Sequence, residues 1–254
     1  EQLPTVPADS IVGEPCKRDT APCVALAALL VSRNDPEATM AVMPSDHVIR
    51  PEQAFREAIH QAAAIVEHAP GRLVTFGIPP TYPAESFGYI ERGEPLAEPH
   101  GDARSFSVCR FREKPPASVA EEYLAAGTFL WNAGIFVWKA ATILKAMREQ
   151  QPECMAHLER IVQHWDSPDR RRVFAEEFAA IKGISIDYAV LEHATDVAVV
   201  EAPFAWDDLG GWSAVARQRG SDADGNTLAG KHLAITTSDS IVQSAHDHLV
   251  VTIG

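Results

Sequence analysis

Three short segments carry side chains suited to holding a metal or a phosphorylated ligand. The apolar stretch Ala38–Met43 runs directly into Pro44-Ser45-Asp46-His47. Ligands of open α/β sheets sit beyond the carboxyl ends of strands, so Asp46 stands where a metal or phosphate ligand belongs. Its ordinary alternative is a turn residue or a helix cap. The second segment, Trp206-Asp207-Asp208-Leu209-Gly210-Gly211-Trp212, sets adjacent acids among apolar residues and glycines. Burying such a pair is costly without a cation. The alternative makes Asp207 or Asp208 the cap of a helix starting near Trp212. In the third segment, Phe111-Arg112-Glu113-Lys114-Pro115, an acid and a base precede a proline at a strand end. Pro115 favours extended backbone before it, which would let Glu113 and Lys114 face one ligand. The alternative is a surface ion pair, which is worth little.

Other chemistries are excluded or find no support. The chain lacks the phosphate-loop, dinucleotide-binding, zinc-protease and nucleophile-elbow signatures. Asp222-Ala223-Asp224-Gly225-Asn226 resembles a calcium loop only superficially, because its glycine comes too early and no closing Glu follows. It reads as a turn between strands. A net charge of -13 disfavours a nucleic-acid partner, which calls for a basic face. It is compatible with a small phosphorylated substrate held by a metal ion and a few placed cations. Cys16, Cys23, Cys109 and Cys154 form no C-x-x-C pair and fit no zinc spacing, so they read as reduced thiols of a cytoplasmic protein. No signal peptide is visible, and no apolar run approaches the ~20 residues of a membrane helix.

The elements that must position these residues alternate. Helices are expected at Pro22–Arg33, capped by Asp19 or Thr20, and at Pro51–His68 and Val119–Ala126. A mostly helical stretch from Ala140 to about Lys182 breaks near Pro152 and near Ser167-Pro168. Strands are expected at Ala38–Met43, Arg72–Ile78, Phe87–Glu91, Phe106–Arg112 and Gly134–Trp138. This alternation predicts an α/β fold with a largely parallel sheet. From Ser221 onward the character changes to short β runs separated by turn residues.

Taken together and in order, the segments resemble the mannose-1-phosphate guanylyltransferases. Glu14-Pro15-Cys16-Lys17-Arg18-Asp19-Thr20-Ala21-Pro22 is similar to the family's E-P-x-x-R-D-T-A-P, and Pro44 to Ile49 to its P-[AS]-D-H-x-I. Phe111 to Pro115 is similar to F-x-E-K-P, and Trp131-Asn132-Ala133-Gly134-Ile135-Phe136 to W-N-[SA]-G-[IM]-F. Ser185 to Glu192 is similar to S-I-D-Y-A-V-[ML]-E, and Trp206 to Trp212 to W-x-D-[VL]-G-[SG]-W. The resemblance implies a Rossmann-like, GT-A-like nucleotidyltransferase domain over residues 1–220. Its mixed, mostly parallel sheet is flanked by helices, and residues 221–254 begin a C-terminal left-handed β-helix.

It also implies roles. Asp46 and Asp208 would share a Mg²⁺ that bridges the nucleotide and sugar phosphates. Lys114 would bind the phosphate of mannose 1-phosphate, and Glu113 the sugar hydroxyls. Gly88, Tyr89, Asn132 and Gly134 would line or approach the sugar pocket, with Asp187 in support. Glu14, Arg18, Thr20, Ala21 and Pro22 would lie beside the guanine. The reaction would join GTP and mannose 1-phosphate into GDP-mannose and pyrophosphate in the cytoplasm, with a homodimer as the assembly and neither nucleic acid nor membrane as partner. The alternatives are another sugar 1-phosphate or base, or a non-catalytic paralogue that binds nucleotide sugars. The sequence departs from the pattern in places. Ala84 to Ile90 reads A-E-S-F-G-Y-I where E-T-G-Y-G-Y-I is usual, and His193 stands where Lys is common. No counterpart of the family's glycine-rich G-G-x-G-[TS]-R-L loop is present. The stretch therefore reads as part of a longer protein, with little activity expected from it alone.

Overall fold

The computed structural model describes residues 4–96, 102–244 and 247–254, apart from the side chain of Ser213. The chain divides into two compact units, residues 1–43 with 53–203, and residues 44–52 with 204–254.

The larger unit is built on a six-stranded sheet. Its strands are β1 (Thr39–Val42), β3 (Leu73–Ile78), β4 (Tyr89–Pro95), β5 (Ser105–Arg112), β6 (Phe129–Lys139) and β7 (Val197–Glu201), in the order β1-β6-β3-β7-β5-β4. Its helices are α1 (Thr20–Ser32), α2 (Glu52–His68), α3 (Ala117–Ala126), α4 (Ala140–Gln150), α5 (Pro152–Gln163) and α6 (Arg170–Ala180), followed by a π-turn over Asp187–Leu191. Helix α1 starts as its sequence predicts. The Asp19 carboxylate accepts the Thr20 N–H at 3.0 Å, and Pro22 falls in the first turn, where its missing N–H costs nothing.

The sheet buries both faces. Leu73, Leu130, Phe136, Trp138, Val197 and Val199 join one core with residues of α1, α4, α5 and α6. The alternate residues Val74, Phe76, Ile135, Val137, Ala198 and Val200 are also buried but lie outside that cluster, as do Ala58, Ala62, Ile65 and Val66 of α2. Burial of both faces explains why these strands read as continuous apolar runs rather than alternating ones.

The α/β class is as expected, but parallel pairing in this sheet is confined to β3 and β7. The ladders β1/β6, β3/β6, β4/β6, β4/β5 and β5/β7 are antiparallel. Alternating helices and strands report burial on two faces, not direction. Strand β6 also runs well beyond the expected Gly134–Trp138, long enough to take three antiparallel partners. The expected strand at Phe87 begins instead at Tyr89.

The smaller unit contains β2 (Val48–Arg50) paired antiparallel with β8 (Ala205–Asp207), then α7 (Trp212–Arg219). Four short strands follow. These are β9 (Thr227–Ala229), β10 (Lys231–Ile235), β11 (Ile241–Gln243) and β12 (Leu249–Ile253), with β9/β11 and β10/β12 parallel and in register. Parallel pairing of successive short strands is how a β-helix begins to stack its coils. Buried Asn226 braces the coil, donating to the Thr237 carbonyl and accepting the Ser240 N–H. The Asp222 carboxylate accepts its own loop's N–H groups at Asp224 and Asn226, as a turn requires.

Candidate active site

In the larger unit, sequence-distant residues converge on one polar cluster, here termed the pocket. The Asn132 N–H donates to the Gly88 carbonyl at 2.8 Å and extends the β4/β6 ladder by one step. Gly88 then lies so close that a Cβ there would fall 2.4 Å from Glu113 Oε2 and 3.3 Å from Asn132 Cβ, so a side chain at this position would push the Glu113 carboxyl aside. Tyr89, the next residue, is fully buried, with its ring 5.4 Å from that of Tyr123. Side chains alternate across a strand, which separates Tyr89 from the pocket that Gly88 enters.

The Glu113 side chain is 9% exposed. Its Oε1 lies 3.3 Å from Lys114 Nζ, and its buried Oε2 has no hydrogen-bond partner among the described residues. Lys114 is not extended as Pro115 suggested, since its φ is 46°, in the left-handed region. The Glu113 N–H donates to Glu192 Oε1 at 3.0 Å, a contact from far along the chain at the same strand end. Asp187 accepts from Asn132 Nδ2 at 2.9 Å. A π-turn advances roughly 80° per residue, so residues five apart come back to nearly one side. That is how Asp187 and Glu192 both reach this pocket.

Burial pushes the Glu113 carboxyl up to about 7, and the negative charges of Asp187 and Glu192 add to this against the pull of Lys114. Burial also raises Asp187, with Asp19 pushing the same way against its hydrogen bonds and Lys114. Glu113 therefore holds a proton through most of the acid range. The folded form binds the proton more tightly than the unfolded chain, so this group's contribution falls as pH rises from about 4.5 to 7. Glu113→Gln is expected to melt about 3–6 °C above wild type at pH 8, roughly 1–2 kcal/mol after screening by Lys114 and solvent. The gap closes by pH 5. Thermal melts across this range check it, and a gap independent of pH would contradict it.

The segment from Glu14 to Pro22 lies against the same π-turn. Thr20 Oγ1 accepts the Ile186 N–H at 2.9 Å, and the Ala21 N–H donates to Ile184 O at 3.1 Å. Ala21 and Pro22 are buried in the first turn of α1. Arg18 directs its Nη groups to the Lys17 and Ala179 carbonyls, and Glu14 acts on the thiol of Cys23. The structure thus brings Gly88, Glu113, Lys114, Asn132 and Asp187 together. It shows Arg18, Ala21 and Pro22 engaged within the protein.

In the smaller unit, the β2/β8 register pairs Val48 with Asp207, which sets the segments of Asp46 and Asp208 side by side. Trp206 Nε1 donates to His47 Nδ1 at 3.0 Å, with the rings edge to face. Burial lowers the His47 pKa, while Asp46, Asp208 and Asp207 oppose that, so all three carboxylates lie around this imidazole. The two acids of the Asp-Asp pair have different fates. Asp207 is buried and bound by Arg217 through both oxygens, at 2.9 and 3.1 Å. Burial would raise its pKa, but Arg217 and the Leu209 N–H outweigh it and hold the carboxyl low. Asp208 accepts only a 3.2 Å bond from Gly210 N–H among the hydrogen bonds of the described residues. Neither caps α7, whose N-cap is Gly211 with no side-chain bond. Asp46 is exposed and Asp208 half-buried, so both present open hard oxygens. Among the described residues no group of three or more His, Cys, Asp or Glu side chains is arranged to hold a metal ion. Two carboxylates fit Mg²⁺, which keeps waters and takes phosphate oxygens for the rest of its shell.

A profile of the family described as nucleotidyl transferase matches residues 7–224. The chain belongs to the nucleotidyl transferase family. It is 39% identical over 250 residues to a mannose-1-phosphate guanylyltransferase of Escherichia coli, covering 97% of this chain and 51% of that protein. It is likewise 39% identical over 244 residues to one from Sinorhizobium fredii, covering 95% and 46%. The chain thus spans about half the length of the curated relatives it matches. A solved structure described as mannose-1-phosphate geranyltransferase from Thermus thermophilus superposes with a TM-score of 0.79 at 32% identity, covering 96% of this chain and 68% of that one. No helix among the described residues is long and apolar enough to cross a membrane. Thr75 stands in none of the sequence motifs, and Glu192 closes the Ser185–Glu192 segment with no role implied for it. The i, i+5 spacing of Asp187 and Glu192 was the available signal for the second.

Proposed function

We propose that this nucleotidyltransferase makes GDP-mannose and pyrophosphate from GTP and mannose 1-phosphate in the cytoplasm. The observation that carries the reading is the pocket composition. Among the described residues, Glu113 Oε2 without a hydrogen-bond partner and the Asn132–Asp187 pair lie beside one ammonium, that of Lys114. Carboxyl and amide groups match sugar hydroxyls, and one cation matches one phosphate. The relatives' names support the same substrate pair.

In the reaction the sugar phosphate oxygen attacks the α-phosphorus of GTP in line, and pyrophosphate leaves. Little covalent work falls to side chains, so positioning and charge neutralisation carry the rate. Lys114 holds the sugar phosphate, while Glu113, Asn132 and Asp187 orient the ring. Asp46 and Asp208 would hold Mg²⁺, which neutralises phosphate charge.

The test is pyrophosphate release and GDP-mannose formation with Mg²⁺, run against glucose 1-phosphate and against ATP. Turnover that prefers either competitor sinks the substrate assignment. The 254 residues alone are expected to turn over little, so the assay uses the protein with whatever segments flank them, and binding of GDP-mannose with no turnover there points instead to a regulatory paralogue. In the same assay Asn132→Ala is expected to weaken sugar-phosphate binding by roughly 1–3 kcal/mol while GTP binding barely changes. Equal weakening of both ligands would mark Asn132 as structural.

A further inference from the structure

Strand β3 is apolar except at Thr75, which is fully buried. A buried hydroxyl is costly unless paired. Thr75 Oγ1 lies 3.0 Å from Asn132 Oδ1 and 3.1 Å from the Ile135 carbonyl oxygen, and its single proton serves these two acceptors. Both acceptors flank an irregularity. The β3/β6 register pairs Thr75 with Phe136 and then Gly77 with Asn132, so β6 carries extra residues there, and Gly134 adopts φ 68°. The Gly134 N–H also donates to Asn132 Oδ1, at 3.2 Å.

These bonds decide which way the Asn132 amide faces. The Gly134 N–H, which can only donate, points at its oxygen, the Thr75 hydroxyl shares its one proton between that oxygen and the Ile135 carbonyl, and Nδ2 is turned to Asp187 at 2.9 Å. A flipped amide would oppose its N–H groups to the Gly134 N–H and its oxygen to the Asp187 carboxylate, losing both contacts. One of the amide's two N–H groups goes to Asp187, and the other is available to a ligand.

We propose that Thr75 is a positioning residue of the sugar pocket, acting through the Asn132 amide on Asp187. The hydroxyl braces the amide oxygen across the β6 bulge beside the Gly134 N–H, and the amide sets the orientation of the carboxylate on the π-turn. Thr75 touches no substrate in this arrangement. The inference rests on the reading of this pocket as the sugar 1-phosphate site, and it assigns Thr75 to the affinity for that ligand rather than for the nucleotide.

Thr75→Val keeps shape and removes the hydroxyl, while Thr75→Ser keeps the hydroxyl and removes the methyl. Steady-state kinetics with GTP and mannose 1-phosphate, on the protein with whatever segments flank these residues, separate the effects, and calorimetric titration of the two ligands reads the same split where turnover is absent. The expected result for Thr75→Val is a KM for the sugar phosphate about tenfold higher, the scale of one lost buried hydrogen bond. KM for GTP and kcat stay within about twofold to threefold, and Thr75→Ser returns to near wild type. If the valine variant fails to fold, Thr75→Ser against Thr75→Ala isolates the hydroxyl, and the same KM split is expected between them. An unchanged sugar-phosphate KM in the folded variant, or equal shifts for both substrates, overturns the proposal. The wild-type control keeps the two readings apart. A wild-type protein that uses another sugar 1-phosphate overturns the choice of mannose, and the Thr75 comparison is then read with that substrate.

Discussion

Asp208→Asn is expected to lower kcat by about 10²–10³ with little loss of thermal stability. Its carboxylate accepts one long backbone bond from Gly210 and otherwise stands open beside the Asp46 segment. An amide of the same size keeps that bond, since its carbonyl oxygen still accepts. It removes one of the two negative charges that would hold a divalent cation. The apparent Mg²⁺ requirement should rise with the fall in rate, and a magnesium titration of pyrophosphate release reads both. Asp207 is the internal control. It is buried and bidentate to Arg217, so Asp207→Asn should act through stability first. Wild-type turnover in Asp208→Asn, or an unchanged Mg²⁺ dependence, would remove the metal role from this pair.

Lys114→Ala is expected to cut kcat/KM for mannose 1-phosphate by about 10²-fold, through loss of a charge-assisted phosphate contact. Lys114 is the positive charge that acts on both Glu113 and Asp187. Without it, Glu113 is left among Asp187 and Glu192, and its carboxyl moves above the value of about 7 it has in the wild type. On the proposed reading the variant loses its phosphate contact, and it gains a proton-bound neighbour. GTP binding, measured by titration calorimetry, should change less than threefold. An equal loss for GTP would show that Lys114 serves the nucleotide, and a change below threefold for the sugar phosphate would show a surface ion pair with Glu113.

Much of this molecule is legible along the chain. Helix α1 is fixed by Asp19, Pro22 and an alanine- and leucine-rich run, and the breaks at Pro152 and Ser167-Pro168 separate α4, α5 and α6 as expected. Such signals act between residues a few positions apart, so they survive without a tertiary context. The motif residues Asp46, Glu113, Lys114, Asn132, Asp187 and Asp208 are also visible in sequence, because short segments hold their side chains.

What those side chains do was decided by partners far along the chain. Nothing local distinguishes Asp207 from Asp208; Arg217, on α7, neutralises one and leaves the other open. Lys114 is left-handed where extended backbone was expected, and the Glu113 N–H beside it is taken by Glu192 from far along the chain. Strand direction likewise depends on which edges β6 can reach, not on the pattern of any one strand. Thr75 reads as one more β-branched residue of a buried strand until the β6 bulge delivers Asn132 Oδ1 to its hydroxyl. A hydrogen bond or an ion pair is a relation between two positions. The sequence by itself determines which groups are present and how their own segments fold, and tertiary structure alone determines which of them are satisfied by the protein and which remain for a ligand.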